Sequence, residues 1–308
     1  MSDNQIDFTD RVVVVTGGGN GLGKCYAMEF AKRGAKVVVN DLGGTGTGAG
    51  ADQIVAQKVV SEIQAMGGTA VANSDSVLEG DKVVQTALDA FGRVDAVVNN
   101  AGFLRDGSFH KMTEADWDLV LKVHLYGSFA VTRAAWPYMR DQGFGRVVMT
   151  ASGAGIYGNF GQANYAAAKL GLHGLAQTLA HEGRAKGILV NTIAPVAASR
   201  LTSTVMPPEV LEGLKPEYVS PLVLLLCSEN HTETGQLFEV GGGWIARIRW
   251  QQSNGARFDS DEGFSAEELS ARWDEVQNFD SAQTPSDISS TLQAVGENIG
   301  VKIGVAPQ

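Results

Sequence analysis

Residues 12–41 read VVVVTGGGNGLGKCYAMEFAKRGAKVVVND, and their interpretation decides the fold. The run RVVVV (11–15) is short, apolar and β-branched, the composition of a strand buried on both faces. The glycine turn TGGGNGLG (16–23) follows, and KCYAMEFAKRGA (24–35) then spaces its apolar residues as a helix does. Strand, glycine turn and helix are the setting in which a dinucleotide fingerprint has meaning; outside it the same residues are a plain glycine loop. In such a fingerprint Gly17 permits the tight turn, Gly21 lets backbone approach a pyrophosphate, and Gly23 lets helix pack against strand. The second strand, KVVVN (36–40), delivers Asp41, where a carboxylate would accept the adenosine ribose hydroxyls and repel a 2′-phosphate. No Arg or Lys stands at Gly19, Asn20 or Leu42 to attract that phosphate, so the pattern favours NAD over NADP; the other reading of Asp41 is a solvated acid at a strand end.

The alternation continues outward. Strand-like runs lie at 12–15, 36–39, 69–72, 95–98, 146–149 and 188–193, and helical stretches at 21–33, 51–66, 79–91, 114–140 and 163–186. Repeated βα units imply an α/β fold, a doubly wound parallel sheet with helices on both faces. Ligands in such sheets bind beyond the carboxyl ends of the strands, so the Gly17 turn, Asp41, Asp75, Asn99 and Ser152 are expected along one edge. Thr113 with Asp116 resembles a capping box opening the long helix at 114. The loop LGGTGTGAG (42–50) is either a flap beside the adenosine or a solvated connector.

Beyond about Trp250 the chain turns polar. We expect a main domain over 1–250 and a mostly helical extension over 251–308, packing on the main domain or on a partner subunit. Leu269, Trp273 and Val276 mark one amphipathic helix of that extension, and 284–297 suggests another.

Composition removes several classes of function. The 308 residues carry 24 Lys and Arg against 34 Asp and Glu, a net charge of −10, which argues against a nucleic-acid or anionic-membrane surface. Cys25 and Cys227 fall in helical segments and read as reduced thiols of an intracellular protein. The start MSDNQIDFTD lacks the apolar stretch of a signal peptide, and the apolar run around LVLLLC (222–227) is far too short for a bilayer. The ending VAPQ is no SKL-type address; the expectation is a cytoplasmic protein, with a peroxisomal one as the alternative. His110, His173, His181 and His231 show no ligand spacing, and no metal is expected.

The stretch TASGAGIYGNFGQANYAAAK (150–169) holds the candidate chemistry. Tyr165 and Lys169 share a helix face, about 5–6 Å apart at Cβ. An ammonium that close favours the phenolate, making Tyr165 a candidate general base for an alcohol proton. Ser152 lies in a Gly/Ala-rich loop open to a small substrate. An incidental Tyr–Lys pair is the alternative, since such pairs are common.

Together these residues resemble the short-chain dehydrogenase/reductase superfamily over 8–245: Thr16, Gly17, Gly21 and Gly23 as TGxxxGxG, Asn99–Gly102 as NNAG, and the set Ser152, Tyr165, Lys169. Finer similarity, in VVNDLGG (38–44), NNAGFLRD (99–106), VHLYGSF (123–129), GIYGNFGQANYAAAKLGL (155–172) and LFEVGGGW (237–244), points to the (3R)-hydroxyacyl-CoA dehydrogenase units of the type 2 multifunctional enzymes, a family also described as 17β-hydroxysteroid dehydrogenases type 4. The resemblance implies NAD contacts from Gly17, Asn20, Gly21, Leu22, Asp41, Asp75, Ser76, Asn99, Ala101, Gly102, Tyr165, Lys169 and Pro195, with Asp75 at the adenine. It implies that Tyr165 takes the proton, Lys169 lowers its pKa and holds the nicotinamide ribose, and Ser152 bonds the substrate oxygen during oxidation of a (3R)-3-hydroxyacyl-CoA. His124 stands where the superfamily usually has asparagine; it either joins a proton relay or is hydrogen-bonded in the interior. Pro195-Val196 replaces the usual Pro-Gly. Arg105, Arg200, Arg247 and Arg249 are candidates for the thioester's anionic end. A 17β-hydroxysteroid dehydrogenase and a non-catalytic NAD-binding protein are the alternative functions, and a homodimer or tetramer, pairing through 114–140 and 163–186, is the expected assembly.

Overall fold

A computed structural model describes residues 6–198 and 207–302. Six parallel strands, β1 (Val12–Thr16), β2 (Lys36–Asn40), β3 (Thr69–Asn73), β4 (Ala96–Asn99), β5 (Gly145–Thr150) and β6 (Ile188–Val196), are joined by β7 (Leu237–Gly241) and β8 (Trp244–Ile248). Their order is β3-β2-β1-β4-β5-β6-β7-β8. The winding order of the strands reverses between β1 and β4, which opens the crevice where doubly wound sheets bind ligands.

The strand residues sort by parity. Val13, Val15, Val37 and Val39 face one core, with Tyr26 and Phe30 of α1 (Gly21–Lys32) and Val59 and Ile63 of α2 (Ile54–Ala65). Val12, Val14 and Val38 face the other, with Val83 of α3 (Gly80–Phe91). Helix α4 (Glu114–Leu121) runs through a π-helical turn, Lys122–Tyr126, into α5 (Gly127–Gln142), which lends Val131, Ala135 and Met139 to that second core. Thr113 accepts the Asp116 amide at 3.1 Å and opens α4. The short α6 (Gly153–Tyr157) precedes the long α7 (Ala163–Arg184). Later come α8 (Pro208–Gly213) and α9 (Ser220–Cys227), the latter carrying Leu222, Val223, Leu224 and Leu226 into the first core.

At the amino edge of the sheet, Asp95 is buried and fully engaged. It accepts the Val12 amide at 2.9 Å, Arg11 at 3.0 Å, and Arg93 in fork geometry at 2.8 and 2.6 Å.

Several elements differ from the sequence expectation. The final strands β7 and β8 stand outside the six anticipated runs; Gly242 and Gly243, at φ 56° and 83°, supply the two left-handed residues of a tight hairpin link. Strand β6 continues through Pro195 to Val196. Pairing with β5 ends at Ile193, so residues 194–196 bond β7 alone, and the missing proline N–H falls on an open edge. The single long helix expected over 114–140 carries the π turn at its centre.

The chain divides into compact units at Arg247 and Ile248. The second unit holds α10 (Ala266–Ala271), α11 (Trp273–Gln277) and α12 (Ile288–Asn298). The one helix anticipated around Trp273 is two short ones, parted at Arg272. No apolar side chain among described residues 248–302 is fully buried.

Candidate active site

Backbone freedom shapes the glycine turn. Gly17 has φ +63°, and a Cβ there would lie 2.8 Å from the Ala101 backbone; one on Gly23 would lie 2.1 Å from the Gly17 carbonyl. Gly21, at φ +49°, meets nothing within 4 Å on that side. The N-cap of α1, Asn20, makes no side-chain cap bond, so the first amides of the helix remain available to an anion. These features fit a pyrophosphate.

Asn100 fastens this turn to the end of β4. Its side-chain amide donates to the carbonyls of Thr16 (3.1 Å) and Gly17 (3.2 Å), and its own N–H, with that of Ala101, donates to the Thr16 hydroxyl at 3.0 and 3.1 Å. Of its neighbours, Asn99 turns inward, donating to Thr132 at 2.8 Å, so it reaches the crevice only by its backbone. Asp41 accepts the amides of Gly19 (2.9 Å) and Gly43 (2.7 Å) and is half-buried at the end of β2. Asp75 is steered by Asn73, whose amide donates to it at 2.8 Å, while Ser76 caps the turn that follows at Leu78. Sequence reasoning passed over Asn100, Asn73 and Thr16 as site residues. The NNAG and TG signatures contain two of them, but what they do depends on contacts between strands.

Ser152, Tyr165 and Lys169 meet at the carboxyl ends of β5 and β6. Ser152 is the N-cap of α6 and accepts the Ala154 amide at 3.2 Å; its hydroxyl lies near enough to Tyr165 to favour the phenolate. Burial raises the Tyr165 pKa, the Ser152 hydrogen bond opposes that rise, and the Asp106 charge adds to it. Lys169 is buried and pushed down to about 7 by desolvation. Its Nζ donates to the Thr150 carbonyl at 2.6 Å and lies 5.4 Å from the centre of the Tyr165 ring. The ammonium faces a carbonyl and the ring, and burial is the largest influence on both groups. Asn164 receives the Tyr165 amide at 2.7 Å and donates to the Arg105 carbonyl at 3.1 Å, fixing the start of α7.

His124 lies within the π turn, 1% exposed, edge-on to the Tyr165 ring at 5.2 Å. Its Nε2 lies 3.1 Å from the Phe103 nitrogen and 2.8 Å from the Phe103 oxygen, and its Nδ1 has no partner. Burial, reinforced by Lys169, pushes its pKa down to about 3, with the Phe103 bond opposing. It is therefore neutral at pH 7.

Pro195 sits in β6, opposite Val240. The candidate anion ligands disperse: Arg105 pairs with Asp116 at 3.0 Å, Arg247 with Glu233 at 3.3 Å, Arg249 lies in the second unit, and Arg200 is outside the described residues. Among the described residues no cluster of His, Cys, Asp and Glu could hold a metal, and no helix is long and apolar enough to cross a membrane.

Comparison with known proteins follows this geometry. The sequence pattern described as short chain dehydrogenase matches residues 11–208. Peroxisomal multifunctional enzyme A of Dictyostelium discoideum is 56% identical over 290 residues, 94% of this chain and 65% of that one. A putative short-chain type dehydrogenase/reductase of Mycobacterium tuberculosis is 52% identical over 277 residues, 89% of this chain and 96% of that one. The structure of full-length peroxisomal multifunctional enzyme type 2 from Drosophila melanogaster superposes with a TM-score of 0.82 at 39% identity, covering 96% of this chain and 50% of that one. The chain thus spans less than two thirds of the multifunctional relatives it matches.

Proposed function

The chain belongs to the short-chain dehydrogenase family, and from that premise we propose that it oxidises (3R)-3-hydroxyacyl-CoA to 3-ketoacyl-CoA with NAD⁺. The observation that carries this reading is the meeting of Ser152, Tyr165 and buried Lys169, whose Nζ lies 5.4 Å from the Tyr165 ring, at the carboxyl edge where the glycine turn also lies. The choice of an acyl-CoA rests on the sequence stretches shared with hydroxyacyl-CoA dehydrogenase units and on relatives named as multifunctional enzymes.

The bound nicotinamide supplies the acceptor for hydride. Gly17, Asn20, Gly21 and Leu22 hold its pyrophosphate, Asp41 the adenosine ribose, and Asp75 and Ser76 the adenine; Asn99, Ala101, Gly102, Lys169 and Pro195 flank the nicotinamide half. Asp41 selects NAD by placing a carboxylate where NADP carries a phosphate. Ser152, its direction set by the Ala154 amide, donates to the substrate oxygen and stabilises charge as it develops. Tyr165, deprotonated, takes the hydroxyl proton. Lys169 exchanges its own proton near neutrality, so its charge biases the phenol. His124 remains neutral and fixes Phe103, which follows the NNAG segment.

A homodimer or larger homo-oligomer is the proposed assembly. A groove of about 720 Å³ between α5 and α7, lined by Phe129, Trp136, Pro137, Tyr138 and Leu175, touches none of the Ser152–Tyr165–Lys169 set. Exposed Phe129 and Tyr138 of α5, Leu170 of α7 and Tyr126 of the adjoining π turn suit a second copy. The relatives' names favour a peroxisomal setting over the cytoplasmic one expected from the sequence.

The test is NADH formation from (3R)- and (3S)-3-hydroxyacyl-CoA and from estradiol, each with NAD⁺ and NADP⁺. Turnover selective for the (3R)-thioester with NAD⁺ supports the reading. Steroid turnover with silent thioesters transfers the same chemistry to a hydroxysteroid, and silence on every alcohol overturns it.

A further inference from the structure

We propose that residues 42–52 form a strap across the dinucleotide crevice and that Arg105 is its latch, a positioning residue for the cofactor; this rests on the dinucleotide reading above. The base of the strap is pinched. The Asp52 amide donates to the Leu42 carbonyl at 3.0 Å, and a Cβ on Gly43 would lie 2.1 Å from the Asp52 carbonyl. Its tip is a turn closed between Thr45 and Ala49, with the Thr45 amide on the Ala49 carbonyl at 2.8 Å and the Gly48 amide on the Thr45 carbonyl at 2.9 Å.

The tip is fastened to the segment that leaves β4. The Leu104 amide donates to the Gly46 carbonyl at 3.2 Å, and Arg105 Nε donates to the Thr47 carbonyl at 2.7 Å. Gly48 lies so close over the Phe103 ring that a Cβ there would be 2.9 Å from it. Sheet order gives this fastening its meaning. The strap leaves the carboxyl end of β2 and is tied beyond the carboxyl end of β4, and β1 with its glycine turn stands between them. A segment tied at both places must cross the mouth above that turn.

Arg105 is a stiff anchor. Its other fork meets Asp116 of α4 at 3.0 Å, and its carbonyl is held by Asn164, which also holds the Tyr165 amide. The side chain therefore ties the strap to α4, and the backbone carbonyl of the same residue is tied to α7, the helix that carries the candidate base. Nε and Nη1 are already engaged inside the chain, which leaves Arg105 less free for a thioester's anionic groups. The guanidinium is 34% exposed, so water can compete for Thr47 and the latch can open.

Wild type, Arg105→Gln and Arg105→Lys are compared in two measurements. The first is NADH release followed by stopped-flow displacement with excess NAD⁺; the second is amide exchange of residues 45–49 and Leu104 in the nucleotide-free protein. Arg105→Gln is expected to release NADH about three- to tenfold faster, the order of one charge-assisted hydrogen bond, with the lysine variant between. Its strap amides are expected to exchange faster without nucleotide. Should Arg105→Gln fail to fold, Asp116→Asn loosens the same guanidinium and is read the same way. Unchanged release in a variant whose wild-type parent binds NADH overturns the strap alone, as does unchanged exchange. A wild type that binds no NADH overturns the dinucleotide reading and this inference with it.

Discussion

Lys169 donates to the Thr150 carbonyl at 2.6 Å while its ammonium rests beside the ring of Tyr165. Both groups titrate according to burial: the lysine is held at about 7 and the tyrosine above its ordinary value. With the phenolate scarce at neutral pH, alcohol oxidation is expected to accelerate as pH rises above 7 and carbonyl reduction to slow. Pre-steady-state hydride transfer measured in both directions across pH checks the opposite slopes.

Replacing the amine should separate activity from stability. The unfolded chain keeps the Lys169 proton up to its ordinary pKa, whereas the folded chain loses it above about 7. Between those values the unfolded state binds more protons, so wild-type stability rises with pH. Lys169→Met is expected to lower turnover by about 10² or more. It should also stabilise the fold, most below pH 7 and progressively less above it. Denaturation midpoints at about pH 6 and about pH 9 test this sign.

Asn100→Ala removes both bonds from its amide to the Thr16 and Gly17 carbonyls. The glycine turn loses its tie to β4, at a cost of about 1–3 kcal/mol in stability and about tenfold in NADH affinity. Fluorescence titration alongside thermal unfolding reads both effects; unaltered NADH affinity would show that the turn holds its shape alone.

Asp41→Ser is expected to shift the kcat/KM ratio from NAD⁺ toward NADP⁺ by about tenfold, by removing the repelling carboxylate. The same change strips the Gly19 and Gly43 amides of their acceptor, so stability should fall by about 1–2 kcal/mol. A variant that gains NADP⁺ use without losing stability would mean a serine oxygen or water has replaced both bonds.

Asp95→Ala leaves the Val12 amide without its acceptor, takes the carboxylate from Arg93 and leaves Arg11 with Glu229 alone, at the opposite edge of the sheet. A loss of about 3 kcal/mol is expected, with kcat unchanged. Urea unfolding and steady-state kinetics on one preparation check the separation.

The six parallel strands and the glycine turn were legible because valine runs and glycine spacing are local signals. Ser152, Tyr165 and Lys169 were legible for the same reason. Asn100 was not, because its value lies in reaching a turn more than eighty positions earlier in the chain. The direction of the Lys169 ammonium was hidden too: helix spacing puts Tyr165 and Lys169 on one face, but only the neighbouring Thr150 carbonyl decides where the charge points. β7 escaped because Glu239 and Gly241 interrupt the apolar run of LFEVG, and Pro195 masked the end of β6 until the one-sided pairing with β7 accounted for it. Arg105 looked like a ligand for an anion because its side chain does not announce that Thr47 and Asp116 already occupy it.

The π turn at Lys122–Tyr126 works as a phase shifter. In an unbroken α-helix, Val120 and Val131 would fall on nearly the same stripe, since eleven residues make about three turns. The widened turn offsets them: Val120 packs with Phe103 and Ala168 below Tyr165, while Val131 packs under the sheet with Val83 and Leu172. One rod thus lines two interiors. Deleting a single residue from the turn would restore a plain helix and leave the phase of α4 against α5 nearly as it is, since the widened turn fits one extra residue into about the same rotation; the disturbance would fall on His124 within the turn.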